Sequence, residues 1–235
     1  MMNSSMPASR RSPKVTPSGW LPILLLSLAA LSALAVLGSR FWLLGGLRIP
    51  NTPLITLLML ASGVTANRDV SFRYQWSIVA GLGFSSAGDS FLMLPGDYFV
   101  PGLASFLIAH ICYLWAFTAD SRLLAYKLPF IVWGTWGVGL LLWLWPGVAG
   151  PLRFPVVLYT LTLVSMAAQA AGCAISRRNA AAILAAAGAA LFVVSDSVLA
   201  MQRFHPPFEG GRSVVLATYF AAQGGIALSV VLRRY

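Results

Sequence analysis

The sequence predicts an all-α fold: a polytopic membrane helical bundle of about eight transmembrane helices, compatible with a 4+4 parallel repeat. Three observations carry this expectation. Only 9% of the 235 residues are charged and 58% are hydrophobic, whereas soluble domains carry roughly 25% charged residues. The apolar residues gather in runs close to the ~20 residues that a bilayer-spanning helix needs. The basic residues sit between those runs instead of forming one patch, where Lys and Arg act as topology signals. The net charge of +10 therefore reads as membrane orientation, and nucleic acid is not expected as a partner.

Residues 1–19 are polar and rich in Ser, Pro and Arg, the composition of a disordered basic tail. Arg10-Arg11 ahead of the apolar run 21–37 invites a twin-arginine signal reading, with Ala33-Leu34-Ala35 as a small-residue cleavage site. A retained first transmembrane helix is the adopted reading, because seven further apolar runs follow. They cover 53–66, 75–94, 98–118, 128–145, 154–175, 180–201 and 214–232. The second reaches spanning length only if it starts near Ile49. Residues 20–235 are thus expected to form a single transmembrane domain.

With the N-terminus in the cytoplasm, the inner segments hold Arg10, Arg11, Lys14, Arg68, Arg73, Arg122, Lys127, Arg177, Arg178, Arg233 and Arg234, which is 11 of the 16 basic residues. The outer loops hold Arg40, Arg48, Arg153, Arg203 and Arg212. That asymmetry is the one expected for both termini inside, and the compact loops and basic tail suggest a bacterial inner membrane. Other features read as packing. Residues 180–190 are nearly all Ala and Gly, which lets a neighbouring backbone approach closely. Trp133, Trp136, Trp143 and Trp145 suit interfacial anchoring or lipid-facing bulk. Pro129, Pro146, Pro151 and Pro155 are read as helix ends. Cys112 and Cys173 fall in apolar runs and lack metal-ligand spacing, so they read as inert thiols.

Chemistry concentrates in residues 81–117 and 191–201. An ionisable group inside a membrane-spanning run is expensive to keep there and by default marks a functional site. Asp89 and Asp196 are two such groups in a chain with only six acidic residues. Each lies roughly 7–8 Å below the outer helix end at ~1.5 Å per residue, and Tyr219 enters at the same level. Gln223 follows on the Tyr219 face. His110 sits about 18 Å down its helix by the same rise, and Tyr113 shares its face. Gly88-Asp89-Ser90 and Ser195-Asp196-Ser197 lie four helices apart and run in the same direction, as a parallel four-helix repeat requires.

Two carboxyl groups in one pocket can divide labour as general acid and general base. The plain alternative is that each Asp only hydrogen-bonds a neighbouring helix. Ser85, Ser86, Ser90, Ser195 and Ser197 are expected to bond backbone carbonyls or to line the pocket, with Ser85 and Ser195 taken as substrate-binding. His205 reads as a solvated loop residue, and Asp97 and Asp120 as turn residues that cap helices or meet solvent. No G-x-S-x-G elbow supports a serine hydrolase, and two histidines make a poor zinc set. Neither metal nor cofactor is expected.

At these residues the chain resembles the YhhN family of membrane proteins, whose animal relatives are lysoplasmalogenases. The matching blocks are FSSAGDSFLML, FVPGLASFLIAHICYLWAF, LFVVSDSVLAMQRF and LATYFAAQ. Together they give Gly-Asp, His-x-x-Tyr, Ser-Asp and Tyr-x-x-x-Gln in order. The resemblance implies hydrolysis of the vinyl ether bond of a lysoplasmalogen, releasing a fatty aldehyde and glycerophosphoethanolamine or glycerophosphocholine. It implies Asp89 and Asp196 as the catalytic pair, with His110, Tyr113, Tyr219 and Gln223 lining the site. The partners would be a lysophospholipid or other single-chain ether lipid and the bilayer that delivers it; nothing in the chain sets an oligomeric state. One departure stands out: Thr52-Pro53 replaces a Lys-Pro pair frequent in the family, with Arg48 nearby as a substitute cation. A small-molecule or proton-coupled transporter using the same aspartates is the competing expectation.

Overall fold

The computed structural model describes residues 20–41, 56, 57, 59, 62, 64, 70–119 and 121–233. Among them the chain is helical throughout, with no strand. Seven helices have defined bounds: α1 Leu21–Phe41, α2 Phe72–Met93, α3 Phe99–Phe117, α4 Lys127–Leu144, α5 Gly150–Arg177, α6 Ala180–Phe204 and α7 Gly211–Val231. A short 3-10 turn, Trp145–Gly147, follows α4. The tail 1–19, Arg48, Thr52-Pro53 and Asp120 lie outside the described residues. So does most of the expected second span, although Thr56, Leu57, Met59, Ser62 and Val64 are helical, with Thr56, Met59 and Ser62 buried.

Helices α3 to α7 are each long and apolar enough to cross a membrane. Their outward surfaces are apolar too: Phe154, Leu142, Leu128 and Ile131 are exposed, which in water would be a liability and in lipid is a solvation shell. Helix α4 is the extreme case, burying only Pro129, Gly137 and Leu144. The chain is an integral membrane protein.

Helix ends follow local chemistry. Ser71 and Asn179 cap α2 and α6 by accepting from the backbone N–H groups of Tyr74 and Ala182. Arg178 closes α5 in the left-handed region at φ 48°. Pro151 occupies the first turn of α5, but Pro155 lies inside the helix and not at its end. A proline so near the start interrupts only the beginning of the backbone ladder, so α5 begins at Gly150, ahead of the expected 154.

The core joins all the bounded helices except α4, which contributes Trp133 at its edge. The closest pairings are α2 with α3 and α6 with α7. The small-residue stretch does bring backbones together: a Cβ on Gly188 would lie 2.7 Å from the Ala222 carbonyl oxygen. Short connections sort the loops to two ends. One end gathers the α2–α3 turn, the α4–α5 link and the α6–α7 loop; the other carries Arg73, Arg122, Lys127, Arg177, Arg178 and Arg233.

Candidate active site

Asp89 and Asp196 are both inside the bundle, each held by a tyrosine hydroxyl. Asp89 on α2 is buried, and its Oδ2 accepts from Tyr219 (2.8 Å) and from Thr56 (2.9 Å). Behind it runs a directed chain of donors. Tyr113 donates to Gln223 Oε1 at 2.8 Å, and Gln223 Nε2 donates to the Tyr219 oxygen at 3.1 Å. Ser85 Oγ lies 3.3 Å from the Tyr113 oxygen. Since Tyr113 gives its proton to Gln223, Ser85 is the donor there, and the chain Ser85–Tyr113–Gln223–Tyr219 ends on the Asp89 carboxylate. Buried polar networks of this kind strengthen one another when every member is satisfied. Gly81 makes it possible, because a Cβ there would collide with the Tyr113 ring.

Asp196 on α6 has a different environment. Its Oδ2 accepts from Tyr159 on α5 at 2.5 Å. His110 Nε2 is 3.7 Å from the same oxygen, longer than a hydrogen bond. The His110 ring is fully buried, edge-on to Phe192 at 4.6 Å and to Tyr159 at 5.1 Å. Neither of its nitrogens has a hydrogen-bond partner among the described residues. Phe192 links the two carboxyl sites, since it also meets Tyr219 edge-on at 5.5 Å.

Asp196 faces a cavity whose lining does not include Asp89. A largely apolar cleft between α3, α4, α5 and α6 is lined by Leu103, Leu140, Leu163 and Ala200 among others, with Asp196, Tyr159, Thr160 and Ser197 among its polar points. It runs toward the end of the bundle that holds the α6–α7 loop, where Phe99 and Phe204 flank it. Trp136, read from sequence as an interfacial anchor or lipid-facing bulk, lines the same cleft and donates from Nε1 to Ser197 Oγ at 3.2 Å.

The structure thus gathers Asp89, Tyr219, Gln223, Tyr113 and Ser85 into one network and sets His110 beside Asp196. Ser195 points elsewhere: its hydroxyl donates to the Val215 carbonyl (3.0 Å) and ties α6 to α7. His205 is not simply solvated, because it stacks on Trp143 at 4.2 Å and 7°. Asp97 caps α3 and pairs with Arg203. Sequence reasoning missed Tyr159 and Thr56, the direct partners of the two aspartates. A tyrosine and a threonine in apolar helices carry no charge signal; only their depth, shared with the aspartates, could have found them.

The YhhN family model matches residues 47–230. The chain belongs to the YhhN family. Pig lysoplasmalogenase TMEM86B (Sus scrofa) is 33% identical over 178 residues, covering 76% of this chain and 72% of that protein. Human lysoplasmalogenase TMEM86A (Homo sapiens) is 32% identical over 161 residues, 67% of this chain and 66% of that one. A Mycobacterium tuberculosis lysoplasmalogenase is 30% identical over 63% of this chain and 56% of its own length. The chain therefore spans between about half and three quarters of these relatives. No solved structure matches it.

Proposed function

We propose that this YhhN-family protein is an intramembrane lysoplasmalogenase, a hydrolase that cleaves the vinyl ether bond of a lysoplasmalogen to a fatty aldehyde and a glycerophospho-head group. Relatives that bear that name on both the animal and the bacterial side support it. The observation that carries the site is the unequal pair: Asp196 lines an apolar cleft, while Asp89 lies behind it at the end of a chain of donors.

The chemistry needs no metal or cofactor. Asp196, protonated, donates its proton to the β-carbon of the vinyl ether, and the π electrons form the new C–H bond. The α-carbon becomes an oxocarbenium ion, whose charge the Asp89 carboxylate stabilises through the buried network. Water adds to that carbon and gives up a proton, which restores Asp196 to its acid form. The hemiacetal then collapses, its C–O bond to glycerol breaking as the hydroxyl proton moves to the departing oxygen. Division of labour between two carboxyls is the logic of glycosidases. His110, Tyr113, Tyr219, Gln223 and Ser85 shape and dry this site; Ser195 serves it by holding α6 against α7.

The finer architecture belongs to the same proposal. Eight helices, the second formed around residues 56–64, would make two four-helix halves, and the closest pairings, α2 with α3 and α6 with α7, occupy equivalent positions in them. We further assign both termini to the cytoplasm of a bacterial inner membrane. A transporter using the same aspartates has no specific observation in its favour.

The test is mass spectrometry of the purified protein with lysoplasmenylethanolamine, beside Asp89→Asn and Asp196→Asn. Free fatty aldehyde from wild type alone, with both variants folded, is the expected result. Full activity in both variants sinks the aspartate pair, and no aldehyde from folded wild type sinks the hydrolase.

A further inference from the structure

The α2–α3 turn and the end of α6 are clasped by one ion pair, Arg203 Nη2 to Asp97 Oδ2 at 2.7 Å. Both side chains stay accessible, Arg203 at 38% and Asp97 at 66%. The Arg203 guanidinium lies 4.7 Å from the Phe99 ring centroid, and Phe99 meets Phe204 edge-on at 5.7 Å. These two rings flank the end of the apolar cleft that holds Asp196. Arg203 and Asp196 also share a face of α6, two turns and about 10 Å apart along the axis at ~1.5 Å per residue. In a lysoplasmalogen, seven bonds separate the carbon to be protonated from phosphorus, roughly 8 Å at ~1.2 Å per bond of extended chain. The axial separation of the two residues is comparable to that length.

We propose that the Arg203–Asp97 pair is the headgroup site: the guanidinium takes the lipid phosphate and the Asp97 carboxylate takes its ammonium. The substrate is then a zwitterionic lysolipid, with its vinyl ether at Asp196. This rests on the lysoplasmalogenase reading above. Arginine presents five donors in a fork that suits phosphate, so it can engage the lipid while Asp97 turns to the amine. No charge is left unpaired in the exchange. The rings of Phe99 and Phe204 pack against the glycerol between the two ends.

The experiment compares kcat and KM of the purified full chain on lysoplasmenylethanolamine and on the matching 1-alkenylglycerol, which lacks the phosphate headgroup. Arg203→Gln should lower the ratio of kcat/KM between the two substrates about tenfold, mainly through KM. Asp97→Asn should lower it less. The swapped pair Arg203→Asp with Asp97→Arg restores a clasp, so its thermal midpoint should exceed that of Asp97→Arg alone while the ratio stays low; a purely structural pair would recover both. An unchanged ratio in Arg203→Gln, or a ratio restored by the swap, overturns the headgroup site. A wild type that cleaves neither lipid overturns the hydrolase reading itself, and the headgroup site with it.

Discussion

In the proposed two-carboxyl chemistry, Tyr159 is the residue that bears most directly on Asp196. Its hydroxyl is the hydrogen-bond donor to Asp196 among the described residues, and its ring closes one side of His110. As a positioning residue it should matter less than the acid itself, whose contribution is typically 10²–10⁴. Tyr159→Phe is therefore expected to lower kcat roughly tenfold to a hundredfold with KM nearly unchanged, while costing about 1 kcal/mol of stability for the lost bond. Steady-state kinetics and a thermal melt in the same detergent check both halves. Tyr219→Phe should behave alike through Asp89, and Gln223→Leu should cost more stability, since it removes both the acceptor of the Tyr113 hydroxyl and the donor to the Tyr219 oxygen. Asp89, Asp196 and His110 were legible in the sequence because an ionisable group in an apolar run is conspicuous. Tyr219, the partner of Asp89, was legible by its depth, but Tyr159 and Thr56 were not, because a hydroxyl in such a run is ordinary and acquires meaning only from what it touches.

At the scale of the helices, the site depends on how closely α6 and α7 approach, since one carries Asp196 and the other Tyr219 and Gln223. Gly188 faces the Ala222 carbonyl with no room for a side chain, and Gly225 faces the Leu184 carbonyl 3.0 Å from where its own Cβ would lie. Gly188→Val should push the pair apart at a cost of about 1–3 kcal/mol, with activity falling in parallel; a thermal midpoint measured beside aldehyde release tests the coupling. The opposite clasp, Asp97–Arg203, is electrostatic. Hydrogen bonds from Arg203 and from the Phe99 backbone hold the Asp97 carboxyl below its ordinary range. Its stabilisation is thus present above the unfolded value of about 4 and fades as pH falls through the lower folded one. The difference in thermal midpoint between wild type and Asp97→Asn should accordingly shrink below about pH 4 and stay constant from 6 to 8. Hydropathy runs alone located α2 to α7 to within a few residues, because each is a near-continuous apolar segment. They failed at Pro155, which lies so near the start of α5 that it interrupts only the beginning of the backbone ladder.

For the molecule as a whole, the decisive asymmetry is between its two ends. Among the described residues, one end carries Arg73, Arg122, Lys127, Arg177, Arg178 and Arg233, whereas the end at which the cleft terminates carries Arg153, Arg203 and Arg212. Two of those three are engaged locally, Arg153 over Trp145 and Arg203 with Asp97. The positive-inside bias predicts that the richer end faces the cytoplasm and the mouth of the cleft the outer leaflet. Single-cysteine labelling decides this: with Cys112 and Cys173 replaced by Ala, Glu209→Cys in the α6–α7 loop should react with an impermeant maleimide in intact cells. Asn179→Cys, at the other end, should react only after permeabilisation. The reverse pattern would invert the topology and make the inner leaflet the source of the lipid. The expected one means that a lysolipid reaches Asp196 from the outer leaflet, its headgroup held at the membrane surface while its chain enters between α3, α4, α5 and α6.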